Sequence, residues 1–434
     1  MRSLITILIS VITFGSLYSQ ELKLEDAIST ALSNNHGIVI AQMQEESSKT
    51  VIHIGAVGML PTIEASSVAS YNYSITDQEI NGGLFPATQG QENAQTNQST
   101  KLSASYLIYN GGSRLRSYSK LKSSGKLSEL QTKISIESTL IQVVNTYYEV
   151  VRVNNQLKLI QSSLDLSRER LKRITINNEF GNATKLDVLN AQVDFNSDSS
   201  NVVNTELNLR KAKNELNYLL GRKISTEFKV VTIIELPNVA EADAYIQKAK
   251  ENNTSLMLSN IKLNMAELDK KISQSNFMPT LSTVLDYGFT GSASDVGIIK
   301  SNSNVGYTAA ISLKWNLFDG LKKQKALEQA KINIEVNNFK QQQTLLQIEK
   351  EAQNYYDALT QNIRLLNLEN KNKNVANLNL ERSELLLNNG TITSIQFRQA
   401  QLNLLKVENR INNINYVIKI YEYQLLRMTN ELVK

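Results

Sequence analysis

The sequence predicts an α+β fold that is mostly α: long α-helical hairpins plus four antiparallel β-strands per chain, arranged as two internal repeats. Three observations carry that expectation. Only four Pro occur in 434 residues, which leaves very long stretches free to run as helix. Four stretches alternate strictly between apolar and polar positions, the period of a β-strand. A series of landmarks also returns in the same order in the second half. Leu60-Pro61-Thr62 returns as Met278-Pro279-Thr280 at an offset of 218, and Ile108-Tyr109-Asn110-Gly111 returns as Leu317-Phe318-Asp319-Gly320 at 209. Asp26-Ala27 with Asn34-Asn35 returns as Asp243-Ala244 with Asn252-Asn253. Tyr147-Tyr148 returns as Tyr355-Tyr356, and Phe180-Gly181 as Asn389-Gly390. The offset falls by nine between the Pro and Gly landmarks, so the first half carries a longer insertion there.

Taken in order, residues 1–20 read as a secretory signal peptide, with basic Arg2, an apolar stretch from Leu4 to Phe14 and a small-polar exit at Ser16 to Gln20. The first repeat is expected over 21–221, a linker over 222–239 and the second repeat over 240–434. Each repeat opens with a helix, 22–57 or 240–276, with apolar residues such as Leu24, Ala27, Ile28, Ala31 and Leu32 at helical spacing. Each helix stops before Pro61 or Pro279.

The alternating runs fall within 62–109 and 280–317. From 62 to 75 the odd positions run Ile63, Ala65, Ser67, Ala69, Tyr71, Tyr73, Ile75 against polar even neighbours. Beyond a loop with Asn81-Gly82-Gly83 and Pro86, Leu102, Ala104, Tyr106 and Ile108 interleave with Lys101, Ser103 and Ser105. The second half repeats the pair, with Leu281, Leu285, Tyr287 and Phe289, then Val305, Tyr307, Ile311, Leu313 and Trp315. Runs of ~10–14 residues match the ~9–11 of a tilted membrane-spanning strand. Tyr73, Tyr106, Tyr109, Phe289, Trp315 and Phe318 gather toward run ends, as expected of interfacial girdles. A soluble sheet with one buried face would show the same alternation; the leader, and the lack of material to cover the apolar face, favour the membrane.

From Arg114 to Asn178 there is a single Gly and no Pro, and from Leu321 to Asn389 there is neither. Each run could extend ~95–100 Å as unbroken helix. Gly181 and Gly390 then turn the chain into return helices at 183–220 and 392–434. Leu157, Ile160, Leu164, Leu171 and Ile174 recur at three- and four-residue steps, a seam for coiled-coil-like packing.

Composition narrows the function. Cys is absent, which excludes disulfides, thiolate metal sites, a Cys nucleophile and a lipid on an N-terminal Cys. Two His, His36 and His53, do not make a metal centre. Basic and acidic residues, 46 and 41, are interspersed with net charge +5, so no nucleic-acid partner is expected. Mean hydropathy is −0.27, and no mature segment offers the ~20 apolar residues of a transmembrane helix. No Ser/His/Asp arrangement, phosphate loop or HExxH occurs, so neither enzyme activity nor a cofactor is expected.

Four strands cannot span a membrane alone, because open edges would leave backbone groups unpaired in hydrocarbon at several kcal/mol each. Two copies would give an eight-stranded barrel filled by its own side chains. Three copies would give twelve strands, the first multiple expected to leave an aqueous lumen. In a homotrimer closing such a 12-stranded β-barrel, Glu64, Asp286, Lys314 and the Ser, Thr and Asn positions would line the lumen.

In these motifs the sequence resembles the TolC-like outer-membrane efflux family across essentially the whole mature chain. The likeness rests on Leu24-Glu25-Asp26-Ala27-Ile28 leading to Ala31-Leu32-Ser33-Asn34-Asn35, on Leu60-Pro61-Thr62, on Tyr109-Asn110-Gly111-Gly112 with Leu317-Phe318-Asp319-Gly320, and on the turns at Gly181 and Gly390. His36 stands where the family usually has Pro. The resemblance implies a trimer with its barrel in outer-membrane lipid and an α-barrel tunnel crossing the periplasm below the barrel. It also implies a passive exit duct, for efflux or type I secretion, that docks onto a periplasmic adaptor and an inner-membrane pump.

The resemblance further implies a periplasmic gate near the turns, at Gly181, Thr184, Asp187, Gly390, Thr393, Gln396 and Gln399. Asp187 falls on an acidic gate position of the family. Ile392 replaces an Arg of some members, and Gln396 and Gln399 replace a ring of Asp, which argues against an acidic, cation-binding constriction. Thr184 with Asp187 and Thr393 with Gln396 also fit capping boxes, and both roles can coexist. Lys185 and Arg398 are candidate adaptor contacts, and the Tyr pairs are expected to pack between helices. The alternative is an exported fibrous coiled-coil protein with a soluble β head.

Overall fold

The computed structural model describes residues 21–78, 88–296 and 299–432. The leader read at 1–20 and the loop with Asn81-Gly82-Gly83 and Pro86 lie outside the described residues. In chain order the elements are strand β1 (Glu21–Leu22), helices α1 (Leu24–Asn34) and α2 (His36–Thr50), and a short 3₁₀ turn at Ile54–Val57. Strands β2 (Thr62–Gln78) and β3 (Thr88–Asn110) follow, then helices α3 (Ser113–Glu179) and α4 (Lys185–Leu219). After β4 (Lys229–Val230) the pattern repeats as α5 (Ala242–Asn252), α6 (Thr254–Ser275), β5 (Thr280–Ser294), β6 (Ser301–Lys314), α7 (Lys322–Asn388) and α8 (Ser394–Met428).

The duplication is visible in the lengths. The outgoing helices α3 and α7 have 67 residues each, and the return helices α4 and α8 have 35 each. The opening helix of each repeat, expected to be continuous, is broken in two. Asn35 and Asn253 take extended backbone angles at the breaks. The reason is the same in both halves. Each carboxamide oxygen accepts from the backbone N–H of the next helix, Ile38 at 3.1 Å or Ser255 at 3.0 Å. Each amide nitrogen donates to a carbonyl at the end of a return helix, Leu219 at 2.7 Å or Met428 at 3.2 Å. Both Asn are buried, and each satisfies backbone groups that a helix end leaves without partners. Asn253→Ala should therefore cost about 1–3 kcal/mol, the penalty of orphaning buried polar groups. Urea unfolding in detergent, followed by helical circular dichroism, measures it.

The chain divides into two compact units. The first comprises the chain up to Met43, Leu130–Met257 and the chain from Thr344 onward. Its core packs Leu24, Ala27 and Ala31 against Val143, Val144 and Leu216. β1 and β4 pair in parallel there, and the Tyr147 hydroxyl donates to the Leu22 carbonyl at 2.9 Å. Burial pushes the Tyr147 phenol up to about 12, which keeps that donor protonated. Tyr148 packs edge-on against Tyr147, with ring centroids 5.5 Å apart, and lies 6.1 Å from Tyr423. In the second repeat Tyr355 meets Tyr421 and Tyr356 meets Tyr245.

The second unit, Gln44–Glu129 and Leu258–Gln343, holds a 4-stranded antiparallel sheet in the order β2-β3-β5-β6. β2 and β3 are longer than the expected runs, at 17 and 23 residues against 15 and 14 for β5 and β6. Pairing continues through polar Gln91 to Thr100, where nothing alternates. The register sets Ile63 opposite Ala104, Ala104 opposite Leu285, and Leu285 opposite Ala309. All four apolar parities therefore share one face. A register shift between Leu107 and Tyr109 makes Ile108 an extra residue, a bulge that carries Tyr109 to Leu281 on that same face. Ile108, expected to continue the alternation, does not.

Candidate functional site

The sheet presents two chemically distinct faces. On the apolar face, β5 runs from Leu281 to Phe289 and β6 from Val305 to Leu313, nine residues each, within the ~9–11 of a spanning strand. Tyr287, Tyr307, Ile311 and Leu313 are exposed there. Beyond Phe289 and Val305 the same face turns to Gly291 and Ser303. The opposite face carries mostly Ser, Thr, Asn and Gln, with Glu64, Lys101, Asp286 and Lys314 as its charged members.

Of the aromatics singled out by sequence, Tyr106, Tyr109 and Phe289 occupy the apolar face. Trp315, just past β6, donates its indole N–H to the Phe277 carbonyl at 3.1 Å and is exposed, as is Phe318. The Arg114 guanidinium lies 5.2 Å from the Tyr106 ring. Tyr73 is exposed on β2 opposite Ala94, three pairs further along that face than Ser67, which shares its row with Phe289 through Thr100.

The two hairpin turns are built alike. Gly181 and Gly390 have φ of 77° and 70°, the left-handed conformation that ends a helix. Asn182 N–H closes back on the Asn177 carbonyl at 2.7 Å, and Thr391 on Leu386 at 2.9 Å. Both return helices open with a capping box. The Asp187 N–H donates to Thr184 Oγ1 at 3.2 Å, and the Thr184 N–H to Asp187 Oδ2 at 3.0 Å. Gln396 and Thr393 do the same at 3.3 and 2.9 Å. Hydrogen bonds from Thr184 hold the Asp187 carboxyl below its ordinary range. Gln399 donates to Asn403 at 2.9 Å. Lys185 is exposed, and so are the large apolar side chains Phe180, Leu186 and Ile395.

Arg398 differs from the expectation. It is buried, so it offers no adaptor contact. Its guanidinium grips Asp198 with both terminal nitrogens, at 2.8 and 2.7 Å, and also donates to Ser167 at 3.1 Å and to Gln401 at 3.2 Å. The Gln401 amide donates to the Ser163 carbonyl at 3.1 Å. Beside this group, Arg170 pairs with Asp194 and donates to the Ser394 carbonyl at 3.5 Å. A network between α3, α4 and α8 thus joins the two repeats, and no local sequence signal marked it. Among the described residues there is no cluster of His, Cys, Asp and Glu that could hold a metal ion, and no helix long and apolar enough to cross a membrane.

Comparison with known proteins meets this geometry. The chain is 20% identical over 289 residues to Outer membrane protein TolC of Vibrio cholerae, covering 64% of this chain and 65% of that protein. It is 27% identical over 220 residues to the probable efflux pump outer membrane protein SepC of Pseudomonas putida, covering 50% of this chain and 44% of SepC. The matches thus span under two thirds of the length of these relatives. The fold is that of the Campylobacter jejuni CmeC outer membrane channel, with a TM-score of 0.79 and 17% identity over 95% of this chain and 86% of that one. The family profile described as Outer membrane efflux protein matches residues 27–222 and 245–431, both repeats in turn, and the chain belongs to that family.

Proposed function

We propose that the protein is one third of a passive exit duct in the outer membrane of a Gram-negative-type cell. Three copies close a twelve-stranded barrel, and their helical hairpins form a tunnel into the periplasm. A periplasmic adaptor and an inner-membrane pump engage it and supply the energy. One observation carries the reading: the sheet ends in two open edges. Among the described residues β2 pairs only with β3, and β6 only with β5. With an apolar band as tall as a bilayer core on one face, those edges must be closed by other strands. Each copy offers its β2 to the β6 of the next, and with the third copy the ring closes.

The turns at Gly181 and Gly390, with Thr184, Asp187, Thr393, Gln396 and Gln399, are the stretches assigned to the periplasmic mouth. Lys185 and the exposed Phe180, Leu186 and Ile395 support an adaptor-facing surface there. Asp187 serves the cap first. If it also holds the mouth closed, Asp187→Ala raises single-channel conductance in planar bilayers; if it is only a cap, conductance stays as in the wild type.

Negative-stain images of detergent-purified protein test the assembly. Three-fold particles with a narrow collar and a long stalk are expected. A monomer released into salt-washed soluble fractions would overturn the duct in favour of a fibrous protein with a soluble head.

A further inference from the structure

The hydrophilic face of the sheet is almost without charge. Its described positions run along the even residues of β2, β5 and β6 and the odd residues of β3 as far as Leu107. Most carry hydroxyl or carboxamide groups, Val68, Leu107, Val284, Ala310, Gly288 and Gly306 are apolar or without a side chain, and only Glu64, Lys101, Asp286 and Lys314 are ionisable. Three of these four lie together. Glu64 and Asp286 stand opposite Ser103 from either side. Lys101 is two residues from Ser103 on the same face, so it is the diagonal neighbour of both acids, a separation of ~7–8 Å that a long side chain can close. Lys101 Nζ lies 3.9 Å from Asp286 Oδ2.

The surroundings leave the lysine room to act. Its partners along β5 and β6 are Gly288 and Gly306. A Cβ on Gly288 would fall 2.5 Å from the Thr100 carbonyl oxygen and 2.8 Å from Lys101 Cβ, so no side chain fits beside the lysine. Its row is therefore Ser66, Lys101, Gly288 and Gly306, with one long side chain among four positions. Asp286 Oδ1 is closed off and accepts no hydrogen bond, which leaves Lys101 as the cation that offsets its charge.

We propose that Lys101, set between Glu64 and Asp286, holds the barrel close to indifferent to the sign of the charge that crosses it. The inference rests on the duct reading and deepens it. With Lys101 present, this collar of Glu64, Lys101 and Asp286 carries one excess negative charge per chain; without it the excess doubles, on a face whose one other charge among the described positions is Lys314. The duct as built is thus close to indifferent to the charge of its cargo, and Lys101 keeps it so.

The absence of native Cys provides the test. A Lys101→Cys chain has one thiol, and purified trimers in planar bilayers under a KCl gradient report selectivity through the reversal potential. The cation-over-anion permeability ratio should rise about two- to fivefold, the size of unit charges acting through screened water at lumen distances. A trimethylammonium-ethyl thiosulfonate should return the ratio to the wild-type value, whereas a methyl thiosulfonate should not. Glu64→Gln, at an exposed position, should lower the ratio and serves if the Cys variant does not assemble. Conducting channels with an unmoved ratio in both variants would overturn the collar alone. Absence of conductance from every protein, wild type included, would overturn the duct itself and the collar with it.

Discussion

An Arg398→Ala chain should lose about 3–5 kcal/mol of stability, because removing one partner of a buried ion pair leaves the other charge without compensation. Asp198 is 4% exposed and Arg398 8%. Asp198 would keep the hydroxyls of Ser163 and Ser167 but lose both charge-assisted hydrogen bonds. The direction of its titration sharpens the expectation. Burial pushes the Asp198 carboxyl up, but the hydrogen bonds from Arg398 and Ser167 outweigh that and hold it below its ordinary value. A depressed carboxylate stabilises the fold fully above the unfolded value, about pH 4, and loses that contribution as pH falls through the folded value. In the Ala variant burial acts with no cation to oppose it, so protonation relieves the variant. The gap between the two proteins should accordingly be widest near neutral pH and close in acid. Thermal unfolding of purified protein at neutral and acidic pH measures both. A paired Arg398→Met, Asp198→Leu chain should recover most of the loss, since apolar side chains of similar volume often replace a buried pair without cost. A single variant as stable as wild type at neutral pH would show that the site stays wet.

How far the sequence foretold this structure depends on how local each determinant is. Helix existence and length were legible, since a stretch without Pro and with apolar residues every three or four positions needs nothing distant to explain it. The expected 114–178 and 321–389 became Ser113–Glu179 and Lys322–Asn388. The caps were legible as well, because Thr184 and Asp187 are three residues apart. The breaks at Asn35 and Asn253 were not, because the carbonyls that reward them lie 184 and 175 residues away. The far ends of β2 and β3 were missed because a strand polar on both faces has no alternation to read. Arg398 was misjudged for the same reason as the Asn pair. Four residues past Ser394, in the first turns of α8, it reads as exposed, and its partner Asp198 is 200 residues distant. Lys101 was legible only as one polar position of a strand. Its meaning came from register, which sets it beside two acids from other strands.

The strand-to-helix turns separate packing from backbone conformation. Gly111 and Gly320 are the same position in the two repeats, with φ of 68° and 69°. A Cβ on Gly111 would lie 2.6 Å from the Ser275 carbonyl oxygen and 2.8 Å from Met278 Cβ. A Cβ on Gly320 would have nothing within 4 Å. Gly111→Ala should therefore combine the ~1–2 kcal/mol of a left-handed L-residue with ~1–3 kcal/mol of overpacking. Gly320→Ala should cost the first of these alone. The chain already tolerates that smaller cost one residue on. Leu321 sits at φ 67° where the first repeat has Gly112 at 78°. The contact has consequences beyond one atom pair. Arg116 donates to the carbonyls of Gly111 at 3.2 Å and Lys271 at 2.9 Å, and to Ser275 Oγ. A methyl at Gly111 pushes on Ser275 and so disturbs the link between α6 and the start of α3. Unfolding of the two Ala variants side by side in detergent should show a larger drop for Gly111→Ala by about 1–3 kcal/mol, the overpacking share. Equal losses would mean that α6 moves aside freely and that backbone conformation alone selects glycine at this turn.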